Sequence, residues 1–304
     1  MTLHPAEKAA LDAFRTGPGL PDRSGDDTTD WLVFGIYVAL RAGQTLRSAG
    51  PVVDRSEVDI KSDGSPVTDI DHEVEETVRE ALAGFCPDAT LVGEEFGGTL
   101  PKDGLAVAID PVDGTWAFVS GTGTAATSLA VFRDGSVNLG IVANPSTGEV
   151  GYSTRDGVAR LVRLASFGEP DVAHQLPLSG AVPGKVLVNV HPSPRAQNLV
   201  HELFRAWAYD RVQMVRSPGG SPAWALLEAA KGRFSYINLW SQRRAEPYDL
   251  AAAVLLVRSA GGEVIDLDGN PIDSVRHSGP FIASIHPHGR EVVLEIARAA
   301  SVGG

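Results

Sequence analysis

The residues best suited to chemistry are Asp110 and Asp113, two acids three positions apart in the stretch Ala106 to Phe118, AVAIDPVDGTWAF. Leu105 to Ile109 is a short apolar run with the pattern of a strand buried on both faces, and Pro111 is expected to end its ladder. Both carboxylates then leave the strand's end together. Gly114 lets the backbone approach a ligand, and the amides of Gly114, Thr115 and Trp116 open a helical turn whose N-terminus attracts anions. Acids that face an anion site are reconciled by cations placed between them. Asp-Pro-Val-Asp-Gly also fits an ordinary turn, since Asp, Pro and Gly are the usual turn residues.

Three other stretches separate these readings. Val92-Gly93-Glu94-Glu95 closes another apolar run, Lys61 to Asp71 (KSDGSPVTDID) precedes a helix, and Glu246 to Ala253 (EPYDLAAA) begins one. With these four motifs in order, the chain from about Trp31 onward resembles the inositol monophosphatase superfamily. Its members are magnesium-dependent, lithium-sensitive phosphomonoesterases that include histidinol-phosphate phosphatase-like and 3'-phosphoadenosine phosphatase-like enzymes.

The resemblance implies a mixed α+β and α/β fold, a layered α-β-α-β-α sandwich with the site between its halves. It implies two or three Mg2+ ions: Glu94, Asp110 and the Val112 carbonyl holding one, Asp110, Asp113 and Asp249 a second, and Glu94 a weaker third. These are hard oxygen ligands of the kind magnesium takes. Thr115 would orient the attacking water with Asp71 behind it, and Lys61 would belong to a loop that closes over the metals. Gly114, Thr115, Asp113 and Asp249 would meet the phosphate and substrate, and water would attack phosphorus in line with no covalent enzyme intermediate. Glu95 is expected to support the site by hydrogen bonding, and Asp63 to make an Asp-Gly turn.

The chain departs from the family pattern in three places. Ala117 stands where Asn is usual and Tyr248 where Trp is usual, and neither change removes a metal ligand. Trp240 to Ala245 is basic and polar where relatives place an acid against inositol. Arg243 and Arg244, beside Gln242, could grip a second acidic group on the substrate or could be solvated or paired with Glu246. The implied substrate is a small phosphorylated metabolite: an inositol or sugar phosphate, histidinol phosphate or a nucleoside 3'-phosphate. The rival reading is a noncatalytic metal or sugar-phosphate binding protein that keeps the fold.

The elements that must position these residues follow from pattern. A chain of 304 residues with 43% hydrophobic content can bury a large core. Its formal net charge of -12 argues against nucleic acid as a partner, because no Lys/Arg block exists to hold phosphates. Bound divalent cations would reverse that sign locally. Cys86, the single cysteine, cannot form an internal disulfide and reads as an apolar filler. No targeting segment or membrane span is apparent, so no membrane partner and a cytoplasmic location are expected; a homodimer is also expected.

Residues 1–30, rich in Pro, Gly, Asp and Thr, read as a mobile extension or cap with no core of its own. Residues 31–180 read as an α+β half that carries the metal motifs, and 181–304 as an α/β half that completes the site. Helices are expected over Trp31 to Arg47, capped by Thr29 or Asp30, and over Asp69 to Ala83, the two packing as a pair. An antiparallel meander follows over Ser128 to Phe132, Val137 to Val142 and Val150 to Ser153. Strands and helices alternate from Lys185, with Ser221-Pro222 as a helix start. Asp266 to Asn270 reads as a hairpin turn rather than a calcium loop, and the histidines lack zinc spacing.

Overall fold

The computed structural model describes residues 2–17, 19–20, 22–50, 58–61, 66–164, 171–179, 187–191, 197–217, 219–239 and 245–302. In the first part of the chain these form α1 (Pro5–Thr16), α2 (Asp27–Ser48), β1 (Val58–Ile60), β2 (Pro66–Thr68), α3 (Asp69–Phe85), β3 (Thr90–Gly93), β4 (Leu105–Asp113) and α4 (Thr115–Val119). The meander is β5 (Ala126–Arg133), β6 (Ser136–Asn144), β7 (Glu149–Thr154), β8 (Arg160–Arg163) and β9 (Val172–Gln175). Then come β10 (Leu187–His191), α5 (Gln197–Ala208), β11 (Met214–Arg216), α6 (Pro222–Ala230) and β12 (Ser235–Asn238). The chain closes with α7 (Pro247–Ser259), β13 (Glu263–Asp266), β14 (Phe281–Ser284) and α8 (Pro287–Val302).

Two large sheets carry the layers. One has seven strands in the order β3-β4-β5-β6-β7-β8-β9, antiparallel except for the parallel pair β3 and β4. The other has five in the order β11-β10-β12-β14-β13, while β1 and β2 pair as a separate small ribbon. Successive side chains of a strand point to opposite faces, and the cores follow that alternation. Val107, Ile109, Leu129, Val131, Leu139 and Ile141 pack under α1, α2 and α3. Ala106, Ala108, Ala130 and Phe132 on the other face meet α6 and α7, which in turn cover Tyr236, Ala283 and Val264 of the second sheet. The outer face of that sheet, with Val188, Ile237 and Ile282, is closed by α5 and α8. The result is the α-β-α-β-α sandwich. Helices α6 and α7 are apolar nearly all round because both faces are covered.

Several expectations change. The first 30 residues are not a coreless mobile extension: α1 starts with Pro5 at its first position and buries Ala6, Ala10 and Leu11 at helical spacing against α2. It is fixed by a buried charge. Glu7, with no exposed surface, takes the Arg160 guanidinium at 2.7 and 3.0 Å and the Tyr152 hydroxyl at 2.7 Å. Burial works against the Glu7 carboxylate, but these bonds and the His4 amide outweigh it and hold its pKa below the usual value. Helix α2 begins earlier than its apolar stripe, with Asp26 as N-cap accepting from Thr29 N at 3.0 Å; Asp30 instead gathers Ser24 and Arg23. Helices α2 and α3 do pack as a pair, with Phe85 stacked on Phe34 and edge-on to Trp31.

Strand β4 does not stop at Pro111. It continues to Asp113, because the pairing with β5 shifts between Asp110 (opposite Ser128) and Asp113 (opposite Ala126). A bulge tolerates a residue without an N–H, and the Pro111 carbonyl is taken by Thr127 Oγ at 2.9 Å. Asp266 makes a turn as expected, accepting from the amides of Asp268 and Asn270. Among the described residues no helix is long and apolar enough to cross a membrane.

Candidate active site

The bulge in β4 decides where the two central acids point. Asp113 lies three positions after Asp110, and strict strand alternation would send them to opposite faces. One extra residue against β5 restores them to the same side. Both are buried, at 4% and 6% exposure. Parallel pairing of β3 with β4 sets Gly93 beside Ile109, and the Glu94 amide donates to the Ile109 carbonyl at 3.2 Å. Glu94 thereby leaves the end of β3 beside the strand that carries Asp110, close enough for its charge to act on the Asp110 carboxyl. Asp249 enters from the first turn of α7, where its carboxylate caps the Glu246 amide at 2.6 Å.

The electrostatics record this convergence. Burial pushes the Asp110 pKa well above the usual carboxylate range, and the charges of Glu94, Asp113 and Asp249 push it further. Burial likewise raises Asp113 to about 7 against the opposing bonds from Ser221 and Ala223, with Asp249 and Glu94 adding to the rise. Even so, no three Asp, Glu, His or Cys side chains among the described residues form a ready-made metal-holding group. Each acid is turned toward a protein donor. Asp110 Oδ1 accepts from Val112 N at 3.0 Å, and Asp113 Oδ2 from Ser221 Oγ and Ala223 N, both at 2.6 Å. Glu94 Oε1 meets Lys61 Nζ at 2.9 Å. Carboxylates and the Val112 carbonyl remain an all-oxygen donor set, which suits a hard divalent cation.

Lys61 is not a free surface charge, because it bridges Glu94 and Glu95, the latter at 2.7 Å. Burial works against its ammonium but is outweighed by the two carboxylates, so its pKa is raised. Glu95, expected to act by hydrogen bonding, accepts this bond from Lys61. Thr115 and Asp71 also come together: Thr115 Oγ lies 3.4 Å from Asp71 Oδ1 and 3.3 Å from the Val112 carbonyl, both longer than a typical hydroxyl bond. Asp71 Oδ2 is held more firmly, by Thr68 N at 2.8 Å and Thr68 Oγ at 2.5 Å. Burial raises the Asp71 pKa to about 6 against these bonds, helped by Glu95 and Glu94. Gly114, at φ 84°, opens α4 and passes so close to α6 that a Cβ there would stand 2.7 Å from the Ser221 Cβ.

Ser221 is a residue of the candidate site that sequence reading did not place there. It was legible as the N-cap of α6, a role it fills by accepting from Trp224 N at 3.2 Å. Nothing local announces that the same hydroxyl would also reach Asp113 across the molecule. Ala117, where the family pattern has Asn, has a close neighbour in the loop before α6: a Cβ on Gly219 would lie 3.4 Å from the Ala117 Cβ. Asp63, Gln242, Arg243 and Arg244 lie outside the described residues.

A family model described as the inositol monophosphatase family matches residues 27–301. A histidinol-phosphatase of Mycobacterium tuberculosis is 30% identical over 251 residues, covering 79% of this chain and 88% of the relative. Inositol monophosphatase 2 of Homo sapiens is 30% identical over 250 residues, covering 78% of this chain and 81% of the relative. Among solved structures, a Thermotoga maritima IMPase superposes with a TM-score of 0.72 at 26% identity, over 90% of this chain and 99% of that one.

Proposed function

The chain belongs to the inositol monophosphatase family and is a phosphoric monoester hydrolase, and we propose that it acts with magnesium on a small polar phosphomonoester. The candidate substrates are an inositol or sugar phosphate, histidinol phosphate and a nucleoside 3'-phosphate. The reading is supported by placement: Glu94 just after β3 has its amide on the Ile109 carbonyl, Asp110 and Asp113 stand at the bulged end of β4, Asp113 is bonded by Ser221, and Asp249 lies in the first turn of α7. Two carboxylates about 4 Å apart repel by roughly 4 kcal/mol at an effective dielectric of about 20, so such a group is costly without cations.

Glu94, Asp110 and the Val112 carbonyl would hold one ion, and Asp110, Asp113 and Asp249 another, with Glu94 available to a third. When bound, magnesium would supply the Lewis acidity that makes water a nucleophile near neutral pH and offsets charge on the leaving oxygen. The protein's own groups do the positioning. Thr115 Oγ, pointing its proton at Asp71 or the Val112 carbonyl, keeps lone pairs free to accept from a water and so orients it. Asp71, fixed by Thr68, sets the Thr115 rotamer. Ser221 and the Ala223 amide hold Asp113 in place from the start of α6. Lys61 bridges Glu94 and Glu95 and offsets one of their two charges.

The test is phosphate release from a panel of phosphomonoesters with magnesium and with a chelator. Magnesium-stimulated hydrolysis of at least one of these classes is expected. A protein that binds magnesium and phosphate esters yet releases no phosphate from any of them would be a binding protein on the same fold, and the proposal would be wrong.

A further inference from the structure

Glu75 has no part in the motifs, yet it is an acid with no exposed surface on the stripe of α3 that also carries Asp71, Val78 and Leu82. Its carboxylate is inserted under the turn that presents Glu94. Oε2 accepts from Glu95 N at 2.9 Å and Oε1 from Phe96 N at 3.2 Å. Arg79, one helical turn on, reaches Oε1 at 3.3 Å and lays its guanidinium 5.0 Å from the Phe96 ring centroid. The turn is closed on its other side by reciprocal backbone bonds between Gly93 and Gly97 at 3.0 and 3.1 Å.

Gly93 shows how tightly the carboxylate is seated, for a Cβ there would stand 1.8 Å from Glu75 Oε1. A buried carboxylate is costly unless hydrogen bonds meet its charge, and here two successive backbone amides and one guanidinium do so. Glu94 has its own amide on the Ile109 carbonyl, and the next two amides are on Glu75. The backbone is therefore fixed on both sides of the Glu94 side chain, and little freedom is left in the direction it takes toward Asp110.

We infer that Glu75 is a positioning residue, whose carboxylate clamps the Glu95 and Phe96 amides and thereby aims Glu94 at the acid cluster; the inference rests on the magnesium-dependent reading above. The clamp needs two acceptor oxygens. In Glu75→Gln the side chain keeps its shape but turns an NH2 toward one of the two amides, and one bond is lost. Gly93→Ala reaches the same end by another route, because it displaces the carboxylate without changing it.

The experiment compares wild type, Glu75→Gln, Gly93→Ala and the exposed neighbour Glu76→Gln as full-length proteins. Each is measured for the magnesium concentration giving half-maximal activity, for magnesium affinity by calorimetry, for substrate KM at saturating magnesium and for thermal stability. In the first two variants the half-activating concentration is expected to rise at least about fivefold, with a matching loss of calorimetric affinity and a KM within about twofold of wild type. Glu76→Gln should match wild type. If Glu75→Gln does not fold, Gly93→Ala carries the test. A wild type without magnesium-stimulated hydrolysis overturns the function and this proposal together. A wild type that responds to magnesium, with variants that are less stable but share its half-activating concentration and affinity, overturns the role of Glu75 alone.

Discussion

Replacing Ser221 by Ala removes a single buried hydroxyl that makes two bonds, one to Asp113 Oδ2 at 2.6 Å and one from Trp224 N at 3.2 Å. Loss of the helix cap costs about 1 kcal/mol, and loss of a hydrogen bond to a charged group about 1.5 to 3 kcal/mol. Ala223 N stays on Asp113 Oδ2, so the carboxylate keeps a donor and the fold survives. The expected destabilisation is about 2.5 to 4 kcal/mol by urea denaturation at pH 8.5, where Asp113 is ionised. A double-mutant cycle with Asp113→Ala isolates the bond, since the cap is lost identically in both legs, and should return a coupling of about 1.5 to 3 kcal/mol. If the bond serves the reaction, kcat/KM in Ser221→Ala falls about tenfold to a hundredfold by the same energy. A coupling below about 0.5 kcal/mol, or unchanged kcat/KM in a folded variant, would reduce Ser221 to a helix cap and refute its role in holding Asp113.

Asp110→Asn is expected to lower kcat by about a hundredfold or more at saturating magnesium while raising urea stability in a chelator, because one member of a repelling buried group is gone; substantial residual turnover would contradict the shared ligand role. The metal-free protein should lose stability with rising pH. Asp71 and Asp113 have folded pKa values of about 6 and about 7, above the ordinary 3.8, so their contribution is fully present below that value and is lost as pH climbs through 6 and 7. Denaturation at pH 5 and pH 8 in a chelator measures this; Asp113→Asn should flatten the difference, and added magnesium should restore stability at pH 8. Glu7→Gln should cost about 3 kcal/mol at neutral pH by stranding Arg160. Because the Glu7 pKa is lowered, that cost should shrink as pH falls through and below 4.5, and a deficit that persists in acid would assign it to packing instead.

The chemistry of the site was legible because it is written in short stretches. An apolar run that meets Asp-Pro-Val-Asp-Gly-Thr, a Gly-Glu-Glu after another such run, and an acid in the first turn of an apolar helix are patterns of a few residues. They fix by themselves which residue types stand together in the chain. The layered fold was implied by the family resemblance, and the apolar run Leu105 to Ile109 agrees with it as a strand that needs cover on both faces, which it receives from α7 and α3. What the tertiary structure alone decided is nonlocal. The bulge that turns Asp110 and Asp113 to one side depends on the register with β5, not on Pro111 alone. Ser221 lies 108 residues from the Asp113 it holds, Arg160 lies 153 from the Glu7 that anchors α1, and Glu75 lies 20 from the Glu95 amide it accepts. Each is an ordinary cap, surface charge or helix residue in its own sequence neighbourhood. A hydrogen bond becomes worth making in a buried site only once folding has removed water from both partners, and no local pattern records which distant partner will be there.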